Sequence, residues 1–166
     1  MSFNNQYRPS GFGYLPVVTK NIIIINVIMF LATQALSTQG IDLTRLLGLH
    51  YYLAPDFKPH QFITYIFMHG SLQHLFFNML AVYIFGSALE QVWGPKRYVI
   101  FYIVTGLGAA LAEYLILHFE ISHTLALVNQ ELSSPDLSAA YKSDLINQKY
   151  EYLNSKVIVG ASGSLF

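Results

Sequence analysis

Two groups of residues in this 166-residue chain have the types and spacing for shared chemistry. The first is Gly160-Ala161-Ser162-Gly163, a Gly-x-Ser-Gly at the mouth of an apolar segment. Its serine is a candidate nucleophile for acyl transfer. The flanking glycines permit backbone conformations and close approaches that bulkier residues forbid. The second group is His74 and Asn78, which open another apolar segment. Four residues apart, they share one face of a helix. An imidazole and a carboxamide on one face can donate hydrogen bonds toward a single point, which is what a tetrahedral oxyanion requires. Both groups also have a packing reading: residues 160–164 as a small-residue helix contact, and His74 with Asn78 as interhelical glue.

The elements that must position these residues follow from composition. The chain is 54% hydrophobic and only 11% charged, against about 25% charged in soluble domains. Apolar runs of about 20 residues match the hydrocarbon thickness of a bilayer. Their backbone groups must be satisfied internally, so the runs are expected to be helices. The expected fold is therefore all-α, a polytopic transmembrane helical bundle. Its first span covers residues 17–36, around Ile22-Ile23-Ile24-Ile25, and the second follows His69 and continues through residues 75–89. The third covers residues 98–119, and a fourth begins near Val157. Residues 1–16 form a polar tail with Arg8 and Pro9 and no small-residue cleavage site, so the first span reads as a retained anchor. Residues 37–68 mix charge, proline and apolar side chains, as in a structured, partly interfacial loop. Residues 120–156 are polar and are expected to be a solvent-exposed insertion with one or two short helices, one of them over 137–153.

Zero net charge with scattered basic residues offers nothing to nucleic acid, and the lack of cysteine excludes a disulfide framework and a thiolate metal site. Arg8 and Lys20 flank the first span, and Lys96 and Arg97 lie between spans two and three. The positive-inside bias puts both on the cytoplasmic side, with Ser162 near the outer face. Trp93, Tyr98 and Tyr102 are expected in an inner aromatic belt. Gly106 with Ala110, and Gly108 with Ala112, form small-x-x-x-small pairs on span three. Glu113, near the outer end of that span, is expected to reach water or a loop partner.

The run His69-Gly70-Ser71-x-x-His74-x-x-x-Asn78, then Glu90-x-x-x-Gly94, a small-residue third span and Gly160-Ala161-Ser162-Gly163 resembles the rhomboid family of intramembrane serine proteases. The resemblance covers most of residues 15–119 and 157–166, and implies a serine endopeptidase that cleaves transmembrane protein substrates within the lipid bilayer. It casts Ser162 as nucleophile, His74, Asn78 and the Ser162 N–H as the oxyanion hole, and Gly160 as the residue shaping that loop. Glu90 and Gly94 would secure the cytoplasmic end of span two, and His69 looks structural. No cofactor and no metal are implied, and the expected setting is a bacterial cytoplasmic membrane with the N-terminus inside.

The chain departs from the pattern at three places. The family's frequent Trp-Arg in the first loop is replaced by His60-Gln61, so contacts with lipid headgroups are expected to differ. Phe166 stands where many bacterial members have tyrosine. The family completes a Ser-His dyad with a histidine on a sixth span, and none of the six histidines here sits in the matching small-residue context. A serine without its base is not activated. The sequence thus reads as a C-terminally truncated rhomboid fragment, inactive alone, carrying three spans and the start of a fourth of a six-span fold. The alternative is a non-catalytic rhomboid-like protein that binds transmembrane clients. A histidine-based metal transporter is a weaker rival, because no acidic partners converge on His69 and His74.

Overall fold

Branched and aliphatic side chains without an interior glycine or proline make the first span a continuous helix. In the computed structural model, which describes residues 15–160, α1 runs over Val17–Ser37. It buries a single stripe of Thr19, Ile22, Asn26, Phe30 and Thr33, the spacing of one helix face. Ile24, Ile25, Val27, Ile28 and Leu31 are apolar and exposed, as expected of a helix facing lipid. The second span is α4 (Leu72–Ala81), a π-helical turn (Val82–Gly86) and α5 (Ser87–Trp93), together a 22-residue apolar helix. The third is α6, Pro95–Leu132. These three helices are long and apolar enough to cross a membrane. The chain is an integral membrane protein of helical type, in agreement with the all-α expectation.

Between the first two spans the chain forms α2 (Leu43–Leu47), β1 (Leu49–His50), α3 (Gln61–Thr64) and a 3-10 turn (Tyr65–Phe67). This loop is structured, as the mixture of residue types predicts. Asp42 caps α2 by accepting from the Arg45 N–H at 3.0 Å, and Asp56 pairs with the Arg45 guanidinium.

Several expectations on the third span are corrected. The helix does not end at Phe119 but continues to Leu132, 38 residues in all, about 57 Å at 1.5 Å per residue. It stops only at Ser133-Ser134-Pro135, where proline excludes helix from the preceding residue. α7 (Ala139–Ser155) then folds back along it, capped by Ser138. Leu153 of α7 packs with Leu117, Ile121 and Leu125 of α6 and with Tyr51 of the loop. Residues 120–156 therefore comprise the end of α6 and the whole of α7, which form a helical hairpin with its own small core. Tyr98 and Tyr102 are 1% and 2% exposed, so they belong to the bundle interior and not to an interfacial belt. Only Trp93 of that trio is exposed. Gly106 and Ala110 lie on the buried face of α6, whereas Gly108 and Ala112 face outward. Glu113 is exposed and has no hydrogen-bond partner among the described residues. Finally, Val157–Ile158 is a short strand, β2, and not helix. Any helical start of a fourth span lies outside the described residues.

One polar junction holds the three spans together. The N-cap of α1 is Pro16, which offers no side-chain cap, so the first N–H groups of α1 need outside partners. Glu90 of α5 supplies them. Its carboxylate accepts from the Val18 N–H at 2.9 Å, the Thr19 N–H at 2.7 Å and the Thr19 hydroxyl at 2.8 Å. Gly86 lies one turn earlier, and a Cβ there would meet the Tyr98 hydroxyl at 2.2 Å, so only glycine admits α6 at this depth. Gly94, at φ +81°, ends α5 and turns the chain into α6. Hydrogen bonds to charged groups contribute about 1.5–3 kcal/mol each, and removing the acceptor strands two backbone donors. Glu90→Ala is expected to destabilise the detergent-solubilised full-length protein by about 3 kcal/mol or more, and Glu90→Gln by less. An unchanged unfolding midpoint in Glu90→Ala would contradict the capping role.

Candidate functional site

The site is built where α4 begins. Ser71, in extended conformation, caps the helix by accepting from the His74 N–H at 3.1 Å. That cap starts the helix at Leu72 and sends His74 and Asn78 along one face. Asn78 is buried and His74 half-buried. The Asn78 amide donates from Nδ2 to Nε2 of His69 at 3.1 Å, and the His69 and His74 rings meet edge to face with centroids 5.1 Å apart. His69 thus orients the carboxamide from the loop side, in keeping with a structural role.

A second stretch of backbone reaches the same face of α4. After α7, β2 pairs antiparallel with β1, Leu49 opposite Ile158 and His50 opposite Val157. Gly48 makes this possible, since a Cβ there would lie 2.5 Å from the Val157 side chain. The Gly160 N–H then donates to the Tyr65 carbonyl at 3.0 Å. Gly160 has φ +120°, a conformation that L-residues with a Cβ rarely adopt. A Cβ at Gly160 would fall 2.7 Å from the His74 ring and 3.3 Å from Asn78 Nδ2. The structure therefore brings together three of the sequence-predicted residues, His74, Asn78 and Gly160. Ser162 lies outside the described residues, as does Phe166.

The remaining histidines are engaged elsewhere or lie apart. The His50 and His60 rings bond the carbonyls of Arg45 and Leu46 at 2.9 and 3.2 Å. His118 Nδ1 shares a hydrogen bond with the Tyr51 hydroxyl at 2.7 Å, and His123 is exposed on α6. Among the described residues no cluster of three or more His, Cys, Asp or Glu side chains is arranged to hold a metal.

A scan of protein families matches a model described as a Rhomboid domain over residues 56–166, two-thirds of the chain. The chain belongs to the rhomboid family. Among similar rhomboids, Rhomboid-like protein 11, chloroplastic, of Arabidopsis thaliana is 34% identical over 97 residues, 58% of this chain and 32% of the relative. Rhomboid-like protein 15 of the same plant is 27% identical over 152 residues, 92% of this chain and 32% of the relative. Rhomboid protease AarA of Providencia stuartii is 35% identical over 57 residues, 34% and 20% of the two lengths. The chain thus spans about a third or less of the length of these rhomboids.

Sequence reasoning missed two supports of this rhomboid site. Gln61, expected from sequence only to alter contacts with lipid headgroups, is fully buried. Its oxygen accepts from the N–H groups of His50 and Lys58, and its amide donates to the carbonyls of Leu46 and Asp56. Tyr65 holds the Gly160 N–H with its carbonyl and donates its hydroxyl to the Gly106 carbonyl at 2.6 Å. Only the amphipathic character of the loop hinted at either.

Two predictions follow from the geometry. Gly160→Ala is expected to destabilise the full-length protein by about 2 kcal/mol or more, through strained backbone and the His74 contact. Gly70→Ala, where a Cβ meets nothing within 4 Å, is expected to change the unfolding midpoint little, and equal effects would contradict the packing. The second concerns His69, 2% exposed. Burial above all, then the neighbouring His74, pushes its pKa from the ordinary 6.5 down to about 4. The unfolded chain therefore takes up a proton first as pH falls. The stability contributed by neutral His69 is complete above about pH 6.5, drains between about pH 6.5 and 4, and then levels off, a loss of about 3 kcal/mol. His69→Gln is expected to flatten that part of the stability–pH curve, and an equally steep curve in the variant would contradict the assignment.

Proposed function

We propose that this chain carries the nucleophile and oxyanion site of a rhomboid-type intramembrane serine endopeptidase. The observation that supports it best is the seating of Gly160 directly against His74 and Asn78, two residues before Ser162. In this reading the Ser162 hydroxyl oxygen attacks the substrate's peptide carbonyl, and a base takes its proton. The carbonyl oxygen becomes an oxyanion that accepts hydrogen bonds from the Asn78 amide, the His74 ring and the Ser162 N–H. The protonated base gives that proton to the leaving nitrogen as collapse expels the amine end of the substrate, leaving an acyl-enzyme that water resolves. The second proton of the Asn78 amide is free for this task because the first is committed to His69.

The base is proposed to be a histidine on a later span, as the family resemblance implies. Each histidine of this segment is bonded elsewhere, exposed, or part of the oxyanion pair. Residues 1–166 alone are accordingly proposed to leave Ser162 without activation. The substrates proposed are transmembrane segments of other membrane proteins. The Lys and Arg positions favour an N-terminus inside. The similar proteins include bacterial proteases of Providencia stuartii and Bacillus subtilis beside rhomboids of Arabidopsis thaliana, and the setting proposed is a bacterial cytoplasmic membrane.

The full-length protein in detergent is expected to react covalently with a fluorophosphonate probe, and Ser162→Ala is expected to lose that labelling. Asn78→Ala and His74→Ala are each expected to lower the cleavage rate of a transmembrane substrate by about 100-fold. Labelling that survives Ser162→Ala would contradict the nucleophile. A protein that binds the substrate without labelling or cleavage would favour the non-catalytic alternative.

A further inference from the structure

At the Gly94 turn, a groove of about 410 Å³ opens between α5 and α6, lined by Trp93, Arg97, Ile100, Phe101 and Val104. Arg97, Ile100, Phe101 and Val104 are spaced i, i+3, i+4 and i+7, so they form one face of α6. Trp93 closes one side, its ring edge-to-face against Phe101 at 5.1 Å. Trp93, Ile100 and Val104 are 40%, 54% and 60% exposed, so nothing among the described residues covers the groove.

Its chemistry is graded along its length. The inner part is apolar, and from Arg97 to Val104 it descends about 10 Å, within the reach of an acyl chain in a half-bilayer of about 15 Å. The outer end carries the guanidinium of Arg97, with Lys96 beside it in sequence. The ion pairs among the described residues join Arg45 to Asp56 and Lys156 to Glu120, so Arg97 has no acidic partner. Lys20, on the first turn of α1, belongs to the same end of the bundle. In residues 15–24 and 84–104, which make up that end, the one acid is Glu90, and its carboxylate is consumed by α1. The groove thus presents an apolar slot beneath an uncompensated cation at the membrane surface.

We infer that this groove is a binding site for an anionic phospholipid, its phosphate on Arg97 and an acyl chain lying against Ile100, Phe101 and Val104. The charge selects the headgroup: a zwitterionic lipid brings its own cation to a surface that already has an excess, whereas a lipid of net negative charge neutralises it. The site lies at the opposite end of the second span from His74, so it does not depend on the proposed chemistry of Ser162.

Trp93 is the one tryptophan of these residues and sits in the groove wall, so it reports occupancy. The full-length protein, carrying Trp93 as its sole tryptophan, is reconstituted in phosphatidylcholine nanodiscs. Quenching is compared for increasing fractions of brominated phosphatidylglycerol and brominated phosphatidylcholine. Brominated phosphatidylglycerol is expected to quench with about five-fold higher apparent affinity. That preference is expected to shrink toward unity in Arg97→Gln, to persist in Arg97→Lys, and to weaken in the unmodified protein as salt is raised. Equal quenching by both lipids would mean only bulk annular lipid and would overturn the site. A preference unchanged in Arg97→Gln would overturn the role of Arg97. Failure of either lipid to quench would show that another part of the protein fills the groove.

Discussion

The hydrogen bond from the Gly160 N–H to the Tyr65 carbonyl decides what can be assembled around α4. Here the chain leaves the α6–α7 hairpin and runs toward the bundle as extended backbone. Non-helical backbone at the edge of a membrane is tolerated only when its polar groups are bonded within the protein. The two-residue pairing of β2 with β1 satisfies the first part of the run, and Tyr65 satisfies Gly160. Tyr65 is itself tied to α6 through its hydroxyl. Those bonds, with the missing side chain at Gly160, let the strand close onto His74 and Asn78.

The opposite end of the bundle solves a different problem with the same kind of chemistry. A helix that begins with proline as its cap must find acceptors elsewhere, and Glu90 supplies them from the neighbouring span. A buried carboxylate is tolerated because every bond it accepts comes from a group that would otherwise be unpaired. Gly86 and Gly94 serve that junction differently, the first by admitting the Tyr98 ring and the second by turning the chain at positive φ. With α1, α4–α5 and α6 thus registered, the face of α4 that carries His74 and Asn78 is directed toward Tyr65 and Gly160.

Much of this was legible in the residues. Apolar length located the three spans, and the positions of His74, Asn78, Glu90 and Gly94 marked both ends of the second. Polarity rises at Glu120, and in sequence that rise marks an end to the third span. Yet Thr124, Asn129 and Gln130 can continue a helix as well as end one, and no breaker occurs before Pro135. The apolar stripe of Leu117, Ile121 and Leu125 runs on through the polar segment, and its period was the available signal. Val157–Val159 read as the opening of a span because a short apolar run carries no periodicity. Its pairing with Leu49 and His50 is a contact across more than 100 residues that no local pattern encodes. Gln61 stands out in sequence only as a departure at the lipid headgroups, since a glutamine reads as surface until four backbone partners surround it.

The proposal that His74 and Asn78 receive the oxyanion formed when Ser162 attacks a carbonyl is tested most directly by the structure of the full-length protein with Ser162 phosphonylated by a fluorophosphonate. The expected result is a phosphoryl oxygen about 2.7–3.1 Å from Asn78 Nδ2 and from a ring nitrogen of His74, with Gly160 still bonded to Tyr65. A phosphoryl oxygen directed away from both side chains, or a label on a residue other than Ser162, would contradict it.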